Sequence, residues 1–263
     1  MRTYIRITVL LLGLAGASLA SGAEVAIDGA SAARVDDIIA QKVVPYAGEP
    51  HGQTLARVSA AFLGTRYQAG TLAGGPATPE ALVVNFNGVD CFTFADYIEA
   101  LSRSRDRQSF INNLARIRYV NGRVDYLSRR HFFSDWFATA PRNALDITPT
   151  LGARYLTVQK QLNIKPGGGV FIPGLPVRPR SINYIPGRAV DARVLEKLKE
   201  GDYVGIYSPL PGLDVTHVGI VVRRGGQIWF RDASSTLSER KVIDSPFLAY
   251  VRSKPGIVVL RAE

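Results

Sequence analysis

The chain has 263 residues, of which 46% are hydrophobic and 21% are charged, and its formal net charge is +10. This composition excludes a disordered chain, and the length suits one large domain or two small ones. A single cysteine excludes an intramolecular disulfide, and it lies too far from the three histidines for a structural Cys/His zinc site. Because the basic residues are scattered without a run or a recognisable motif, we expect no nucleic-acid partner.

Residues 1–23 have the pattern of an export signal. Arg2 and Arg6 come first, an apolar run covers residues 7–14, and small residues continue to Ala23. Cleavage after this segment would remove two arginines and lower the net charge to +8. The alternative is an uncleaved membrane anchor, although the apolar run is short for a bilayer span. We expect an exported protein, periplasmic or secreted, that makes no membrane contact after cleavage.

The first part of the mature chain, about residues 31–160, is predicted to be mainly helical. Ser31 is a candidate N-cap for a helix that extends through Val44. Thr54 is a candidate N-cap for a second helix, with apolar side chains on one face.

Two later stretches are expected to be non-helical. Residues 118–127 contain the pair Asn121-Gly122, which tolerates positive φ at both positions and is typical of a β-hairpin turn. Residues 165–188 are rich in proline and glycine, which prevent a regular helix. We therefore predict an extended surface loop there.

The last part, about residues 190–263, is predicted to be rich in β-strands. Asp191 is a candidate N-cap of a helix that Gly201 ends, and Ser245-Pro246 is expected to start a short helix. The predicted strands cover residues 202–207, 217–223, 227–233 and 256–261. Helices followed by an antiparallel sheet indicate an α+β fold in one domain, residues 24–263.

The segment around the cysteine carries the most specific signal. Phe94, Ile98 and Leu101 recur at helical spacing, and Asp90 is a good N-cap, so Cys91 falls in the first turn of a helix. The free amide hydrogens and the positive dipole end of a helix favour a thiolate there. Taken alone, the pattern also fits a small buried cysteine without a chemical role.

A nucleophilic thiol needs a base, and the chain offers three histidines. His51 lies in a Pro-His-Gly turn and is expected at the surface, whereas His131 lies in the segment SRRHFFSDW. His217 opens the apolar strand HVGIVV, which makes it the strongest candidate for the base.

Hairpin geometry relates His217 to Asp232. A turn at Arg224-Gly225 places Asp232 directly opposite His217, whereas a turn at Gly225-Gly226 places it opposite Gly219, one diagonal step away. Both registers put the histidine and the carboxylate on one face, with Cβ atoms about 4.5–8 Å apart. The carboxylate can then hold one ring nitrogen while the other faces a thiol, which is the arrangement of nucleophile, base and orienting group.

Five segments together resemble a known family, the N-acetylmuramoyl-L-alanine amidase-like family within the NlpC-type papain-like cysteine peptidases of bacterial cell walls. The resemblance covers most of residues 54–261. It implies a papain-like α+β fold, with the nucleophile at a helix start packed on an antiparallel β-sheet. The segments are GTRYQAGTL (64–72), VDCFTFADYIEAL (89–101), SRRHFFSDW (128–136), GLDVTHVGI (212–220) and DASS (232–235).

The resemblance implies cleavage of the amide between N-acetylmuramic acid, in its reducing or 1,6-anhydro form, and L-alanine of the stem peptide. Cys91 matches the nucleophile and His217 the base, and the third polar position falls on Asp232, where the family usually has histidine. Soluble muropeptides are the implied partner. No cofactor and no metal are expected, and we expect a monomer. Two alternatives are a γ-D-glutamyl stem-peptide endopeptidase of the same fold and an inactive muropeptide-binding module.

Further side chains match family segments that we expect beside the substrate cleft. The competing interpretations are a core tyrosine at residue 67, an amphipathic helix at 128–136, and a loop-fixing carboxylate at residue 214. The predicted substrate-binding residues are Tyr67, Asp90, Arg130, His131, Asp135, Trp136 and Asp214.

Overall fold

The computed structural model describes residues 24–152 and 154–262. The predicted export signal, residues 1–23, therefore lies outside the described residues. Within the two described ranges, no helix combines the length and the apolar character that a membrane crossing requires.

The helices and strands alternate irregularly along the chain. The α-helices of the described residues are α1 (Gly29–Ile38), α2 (His51–Ala60), α3 (Cys91–Ser102), α4 (Arg107–Arg118), α5 (Asp135–Ala138), α6 (Ala192–Lys197) and α7 (Phe247–Arg252). The strands are β1 (Val25–Ile27), β2 (Leu82–Val84), β3 (Ala144–Asp146), β4 (Leu156–Leu162), β5 (Arg178–Pro186), β6 (Tyr203–Tyr207), β7 (Val215–Arg224), β8 (Gln227–Ala233), β9 (Val242–Pro246) and β10 (Gly256–Ala262).

The main sheet is antiparallel and has the strand order β4-β5-β10-β6-β7-β8-β9, with β3 paired to β10. A separate pair, β1 and β2, is parallel. Helices before an antiparallel sheet confirm the predicted α+β class, whereas the papain-like NlpC-type assignment stays a prediction.

Apolar side chains cover both faces of the central strands. Val218, Ile220 and Val222 of β7 pack into the core shared with α1–α4, as the alternation predicts. Val221 points to the opposite face, where it joins residues of α6 and α7 in a second core. The sheet is therefore held between two layers, and α3 is fixed against one of its faces.

Two predicted helix caps are wrong. Asp28 is the N-cap of α1, since its carboxylate accepts from the backbone N–H of Ser31, and Ser31 itself lies inside the helix. Thr54 lies inside α2, which begins after Pro50. In both cases the helix starts three or four residues earlier than predicted.

The predicted hairpin at 118–127 is wrong as well. Asn121 and Gly122 do adopt positive φ, 56° and 68°. However, α4 runs through Arg118, and short 3₁₀ turns rather than strands follow it, with one isolated bridge between Tyr119 and Arg129. Asn121 and Gly122 therefore form a turn as predicted, but the chain just before them belongs to helix α4 and not to a first hairpin strand.

The predicted loop at 165–188 is half wrong, because β5 (Arg178–Pro186) pairs with β4 over residues 178–184 and with β10 at its last two residues. Strand β4 likewise lies inside the part predicted to be helical. The remaining loop is anchored by the buried Asn163, whose side chain accepts from Ile172 N–H and donates to the carbonyls of Ile172 and Leu175. The prolines of β5 stand near its two ends, at its second and last residues, where they interrupt few of the hydrogen bonds between strands.

The predictions for the last part of the chain hold more closely. Strands β6, β7, β8 and β10 are confirmed within one or two residues, and Asp191 caps α6. Helix α6 ends at Lys197, before Gly201. Strand β9 was not predicted, and Pro246 ends it and caps α7.

Candidate active site

Cys91 is the first residue of α3, as predicted. The Asp90 carboxylate accepts from the backbone N–H groups of Phe92 and Thr93, at 3.0 and 2.7 Å, and the Thr93 hydroxyl accepts from the Asp90 N–H. This reciprocal capping box fixes the start of the helix. The thiol is partly exposed, which a nucleophile requires.

The capping box leaves the backbone N–H of Cys91 itself without an acceptor among the described residues. This free donor lies at the positive end of the helix dipole, in the same residue as the thiol. Such an amide can stabilise a developing oxyanion. Asp90, predicted to bind substrate, thus has a structural role in positioning the nucleophile.

The β7–β8 hairpin brings Asp232 to His217. Its turn is Gly225-Gly226, both with positive φ, and Gly219 pairs with Asp232. This is the second of the two predicted registers. The Nε2 atom of His217 lies 2.7 Å from Oδ2 of Asp232, and the two side chains are only 14% and 2% exposed. The other ring nitrogen, Nδ1, is left for the thiol.

Cys91, His217 and Asp232 interact as one group. Burial by itself lowers the pKa of His217, but hydrogen bonds to Asp232 and Cys91, together with the charges of both, outweigh burial and raise the pKa from 6.5 to about 10. The imidazolium form is therefore present at neutral pH. Its two partners stabilise it, which is the electrostatic condition for a thiolate–imidazolium pair.

Local irregularities in the sheet fit this placement. A β-bulge between β6 and β7 leaves Thr216 as an extra residue directly before His217. Bulges re-aim neighbouring side chains and are common beside active sites. Gly219 sits where an added Cβ would lie 2.6 Å from the Arg231 carbonyl oxygen and from the Phe230 ring. The glycine of the HVGI motif is therefore required by close packing against β8.

A cavity of about 310 Å³ adjoins the His217–Asp232 pair, a volume within the usual range of ligand pockets. Its polar lining residues are Thr216, Ser234, Ser235, Thr236, Tyr250 and Lys254. A larger cavity of about 710 Å³ lies between α6 and α7 and is lined by none of the predicted site residues. The smaller cavity is therefore the one that His217 and Asp232 line.

Tyr67 lies beside the nucleophile. Its backbone bridges to Val89, two residues before Cys91. Burial, the Cys91 charge and the Asp90 charge raise the pKa of Tyr67, against a lowering effect of Arg240. The structure thus places Tyr67 next to the start of α3. Its contact with a substrate stays a prediction.

Three predicted substrate-binding residues are buried instead. Arg130, Asp135 and Trp136 are 3%, 2% and 0% exposed, which leaves them no surface for a ligand. The Arg130 guanidinium donates to the carbonyls of residues 135, 139 and 141, and Asp135 pairs with Arg180. These contacts hold the segment 128–136 in place. The prediction that Arg130, Asp135 and Trp136 contact the substrate is therefore wrong.

His131 and Asp214 also have structural partners. His131 Nε2 lies 2.7 Å from the Tyr126 carbonyl oxygen, and burial lowers the pKa of His131. The buried Asp214 accepts from the N–H groups of Ser134 and Val215, each at 2.7 Å. Asp214 therefore fixes the chain just before His217, which is the alternative interpretation of that residue.

His51 is not a simple surface residue. Its Nε2 lies 3.1 Å from Oε1 of Glu99, a fully buried carboxylate on α3 that also accepts from Tyr203 and Arg103. Sequence reasoning missed this cluster, for which the only signal was the Glu99–Arg103 spacing of four residues. In the described ranges, no group of three or more His, Cys, Asp or Glu side chains is placed to hold a metal ion.

Comparison with known proteins agrees with this geometry. Residues 57–257 match the family described as N-acetylmuramoyl-L-alanine amidase-like. The chain belongs to the N-acetylmuramoyl-L-alanine amidase-like family. Every residue of the Cys91, His217 and Asp232 group lies within the matched range. No match was found among curated proteins.

Several solved structures are similar to this chain along most of their length. An N-acetylmuramoyl-L-alanine amidase from Bacteroides uniformis is 27% identical, covers 81% of this chain and 99% of its own, and has a TM-score of 0.66. A Legionella pneumophila protein is 20% identical, covers 89% and 94%, and has a TM-score of 0.73, which shows the fold alone. A Bacteroides fragilis protein, provisionally described as a xylanase, is 29% identical, covers 77% and 98%, and has a TM-score of 0.62. At the level of its family, the chain is a peptidoglycan amidase-like hydrolase.

Proposed function

We propose that this amidase-like protein hydrolyses the amide between N-acetylmuramic acid and L-alanine in soluble peptidoglycan fragments, with Cys91 as the nucleophile. One arrangement carries the proposal: the Nε2 of His217 is held 2.7 Å from the buried Asp232, and the same imidazole lies close enough to Cys91 for the charge of Cys91 to help raise the pKa of His217. The family and the amidase neighbour support the bond type. The reducing and 1,6-anhydro forms of the sugar are both within the proposal.

Each member of the group has a defined step. The Cys91 thiolate attacks the lactyl carbonyl carbon, and the Cys91 N–H donates to the resulting oxyanion. Protonated His217 then gives its proton to the L-alanine nitrogen as the C–N bond breaks, which leaves a thioester and a free peptide. Neutral His217 takes a proton from water, which attacks the thioester and releases the muramic acid and the thiolate. Asp232 holds the imidazole in orientation throughout.

The arrangement supports the papain-like NlpC-type placement that the motifs predict. A cysteine at a helix start meets a histidine on an antiparallel sheet, and a third polar side chain orients that histidine. A glycosidase would instead need two carboxylates facing the bond to be cut. Asp90 is engaged as a helix cap and Asp232 by His217, so these site carboxylates favour thiol chemistry over sugar cleavage.

Product analysis tests the proposal. Mass spectrometry of digested muropeptides is expected to show a free peptide that begins with L-alanine and a sugar without amino acid. Intact sugar–L-alanine products would instead identify a γ-D-glutamyl endopeptidase. Binding of muropeptides without any product would identify a binding module.

The role of the thiol needs its own variant. Cys91→Ser is expected to abolish turnover while muropeptide binding remains, because the hydroxyl is a far weaker nucleophile of nearly the same shape. Ser102→Ala, at the other end of α3, is a control that keeps the nucleophile. Iodoacetamide should label native Cys91 quickly at neutral pH. Retained hydrolysis in Cys91→Ser would refute thiol catalysis.

We also propose that the protein acts outside the cytoplasm. The support is the sequence of residues 1–23, with its basic start, apolar run and small residues. Expression of the full chain in a bacterium is expected to yield a mature N-terminus close to residue 24. Retention of residues 1–23 in a membrane fraction would instead identify an anchor.

A further inference from the structure

The loop between β8 and β9 brings a cation to the edge of the candidate active site. The backbone N–H of Tyr67 donates to the Arg240 carbonyl oxygen at 2.8 Å. The next residue, Gln68, donates to the Val89 carbonyl oxygen at 2.9 Å, two residues before Cys91. Backbone hydrogen bonds therefore hold Arg240, Tyr67 and the nucleophile in a fixed relation.

The Arg240 side chain lies over the Tyr67 ring. Its guanidinium carbon is 4.9 Å from the ring centroid, which is stacking distance for a cation–π contact. The charges of Cys91, Asp90 and Arg240 all reach the Tyr67 phenol. Tyr67 is thus the common neighbour of the guanidinium and of the start of α3.

The backbone of Arg240 has an unusual conformation for its residue type. Its φ is 49°, in the left-handed region that favours glycine. The loop is fixed by hydrogen bonds from the N–H groups of Glu239 and Arg240 to the Thr236 carbonyl. Such conformations in residues other than glycine concentrate at functional sites. Here the residue in the left-handed conformation is an exposed arginine rather than a glycine.

The stacked guanidinium has unused hydrogen-bonding capacity. Among the residues that the structure describes, no carboxylate lies within ion-pair distance of Arg240. A guanidinium that rests on an aromatic ring keeps its N–H edge free, and that edge matches a carboxylate with two parallel hydrogen bonds. The site is therefore suited to a carboxylate-bearing ligand.

We propose that Arg240, held by Tyr67, is a specificity-determining residue that binds a free carboxylate of the stem peptide. This inference rests on the proposed amidase function. In a muropeptide the lactyl carboxyl is already part of the amide and the sugar carries no other acid, so every free carboxylate lies on the peptide. Arg240 then selects fragments by the leaving peptide and not by the sugar.

The test uses muropeptides with a tripeptide stem in which each free carboxyl is converted to an amide in turn. One such conversion is expected to lower kcat/KM of the full-length wild-type protein by about ten- to a hundredfold, the worth of a charge-assisted hydrogen bond. Arg240→Gln is expected to cleave all of these substrates at similar, reduced rates. Arg240→Lys should keep part of the preference, because it keeps the charge but loses the planar edge.

Lys241→Gln is the matched control. It removes the same charge one residue later, where the chain is exposed and bridges to Arg66 instead of Tyr67. This variant is expected to keep the full preference. Arg240→Gly relieves the left-handed strain, so it folds even if Arg240→Gln does not, and it is also expected to lose the preference.

The outcomes separate the two proposals. Wild-type protein that cleaves all of the amidated substrates equally well, or Arg240→Gln that keeps the wild-type preference, overturns the role of Arg240 while the amidase function stands. Wild-type protein that releases no L-alanine peptide from any substrate overturns the amidase function itself.

Discussion

Replacement of Asp232 by asparagine tests whether the carboxylate sets the basicity of His217. Asparagine keeps the shape but removes the negative charge that Oδ2 places 2.7 Å from Nε2. The pKa of His217 is raised to about 10 because its bonds to Asp232 and Cys91 outweigh burial. Without this charge, less opposes the lowering effect of burial on the pKa of His217, so the imidazolium loses its proton at a lower pH.

The magnitude follows from the hydrogen bond. A bond between two charged groups contributes about 1.5–3 kcal/mol, and one pKa unit corresponds to about 1.4 kcal/mol, so the pKa of His217 falls by roughly one to two units. The alkaline limb of kcat/KM reports this pKa in the free enzyme, since the reaction needs protonated His217 as the acid. The limb is expected near pH 10 in the wild type and at roughly pH 8–9 in Asp232→Asn.

The assay is release of the L-alanine peptide, followed by chromatography across the alkaline range for both proteins. Asp202→Asn is the control, because Asp202 is an equally buried carboxylate that pairs with Arg261 rather than with His217. This control is expected to lose stability but to keep the wild-type alkaline limb. An unchanged limb in active Asp232→Asn, or an equal shift in Asp202→Asn, would refute the reasoning.

Three further predictions concern stability. Because the pKa of His217 is raised in the folded protein, the protonated imidazole stabilises the fold fully below pH 6.5, and this contribution is lost as the pH rises towards 10. The melting temperature of the wild type should therefore fall between pH 6.5 and 10. The fall should be smaller in His217→Gln, which lacks the titrating group. Gly219→Ala should cost about 1–3 kcal/mol in denaturant unfolding, because its Cβ meets Phe230 and Arg231, whereas Gly29→Ala, in open space, should cost nothing measurable. The pKa of Glu99 is lowered, since its bonds to His51, Arg103 and Tyr203 outweigh burial, so its contribution is present above pH 4.5 and lost in acid. Glu99→Gln should therefore flatten the loss of melting temperature in acid, and an unchanged acid profile would contradict this.

The reactive part of the site was predictable because it rests on local rules. Asp90 caps α3 through backbone groups two and three residues away, so the position of Cys91 follows from its neighbours. The glycine pair at 225–226 restricts the β7–β8 register to two choices, and both place Asp232 on the face of His217. Tyr67 followed from a family motif and not from such a rule.

The segment 128–136 shows where such reasoning fails. Arg130 and Asp135 are charged and stand among aromatic residues, a pattern that fits a ligand-binding face as well as an interior network. Only the tertiary contacts decide between them: carbonyls of a turn accept hydrogen bonds from the terminal nitrogens of Arg130, and Arg180 from the unpredicted strand β5 pairs with Asp135. A charge can be buried when its partners are supplied by distant parts of the chain.

By itself, the sequence determined the α+β class, the start of the nucleophile helix and the shared strand face of His217 and Asp232, because these depend on residues close along the chain. Only the tertiary structure decided that the thiol meets the histidine, that Glu99 is a buried acceptor for His51, and that Arg240 lies over Tyr67. Each of these contacts joins two residues that are far apart in sequence. The spatial distance between the two residues depends on how the helices pack on the sheet, which no local sequence pattern specifies.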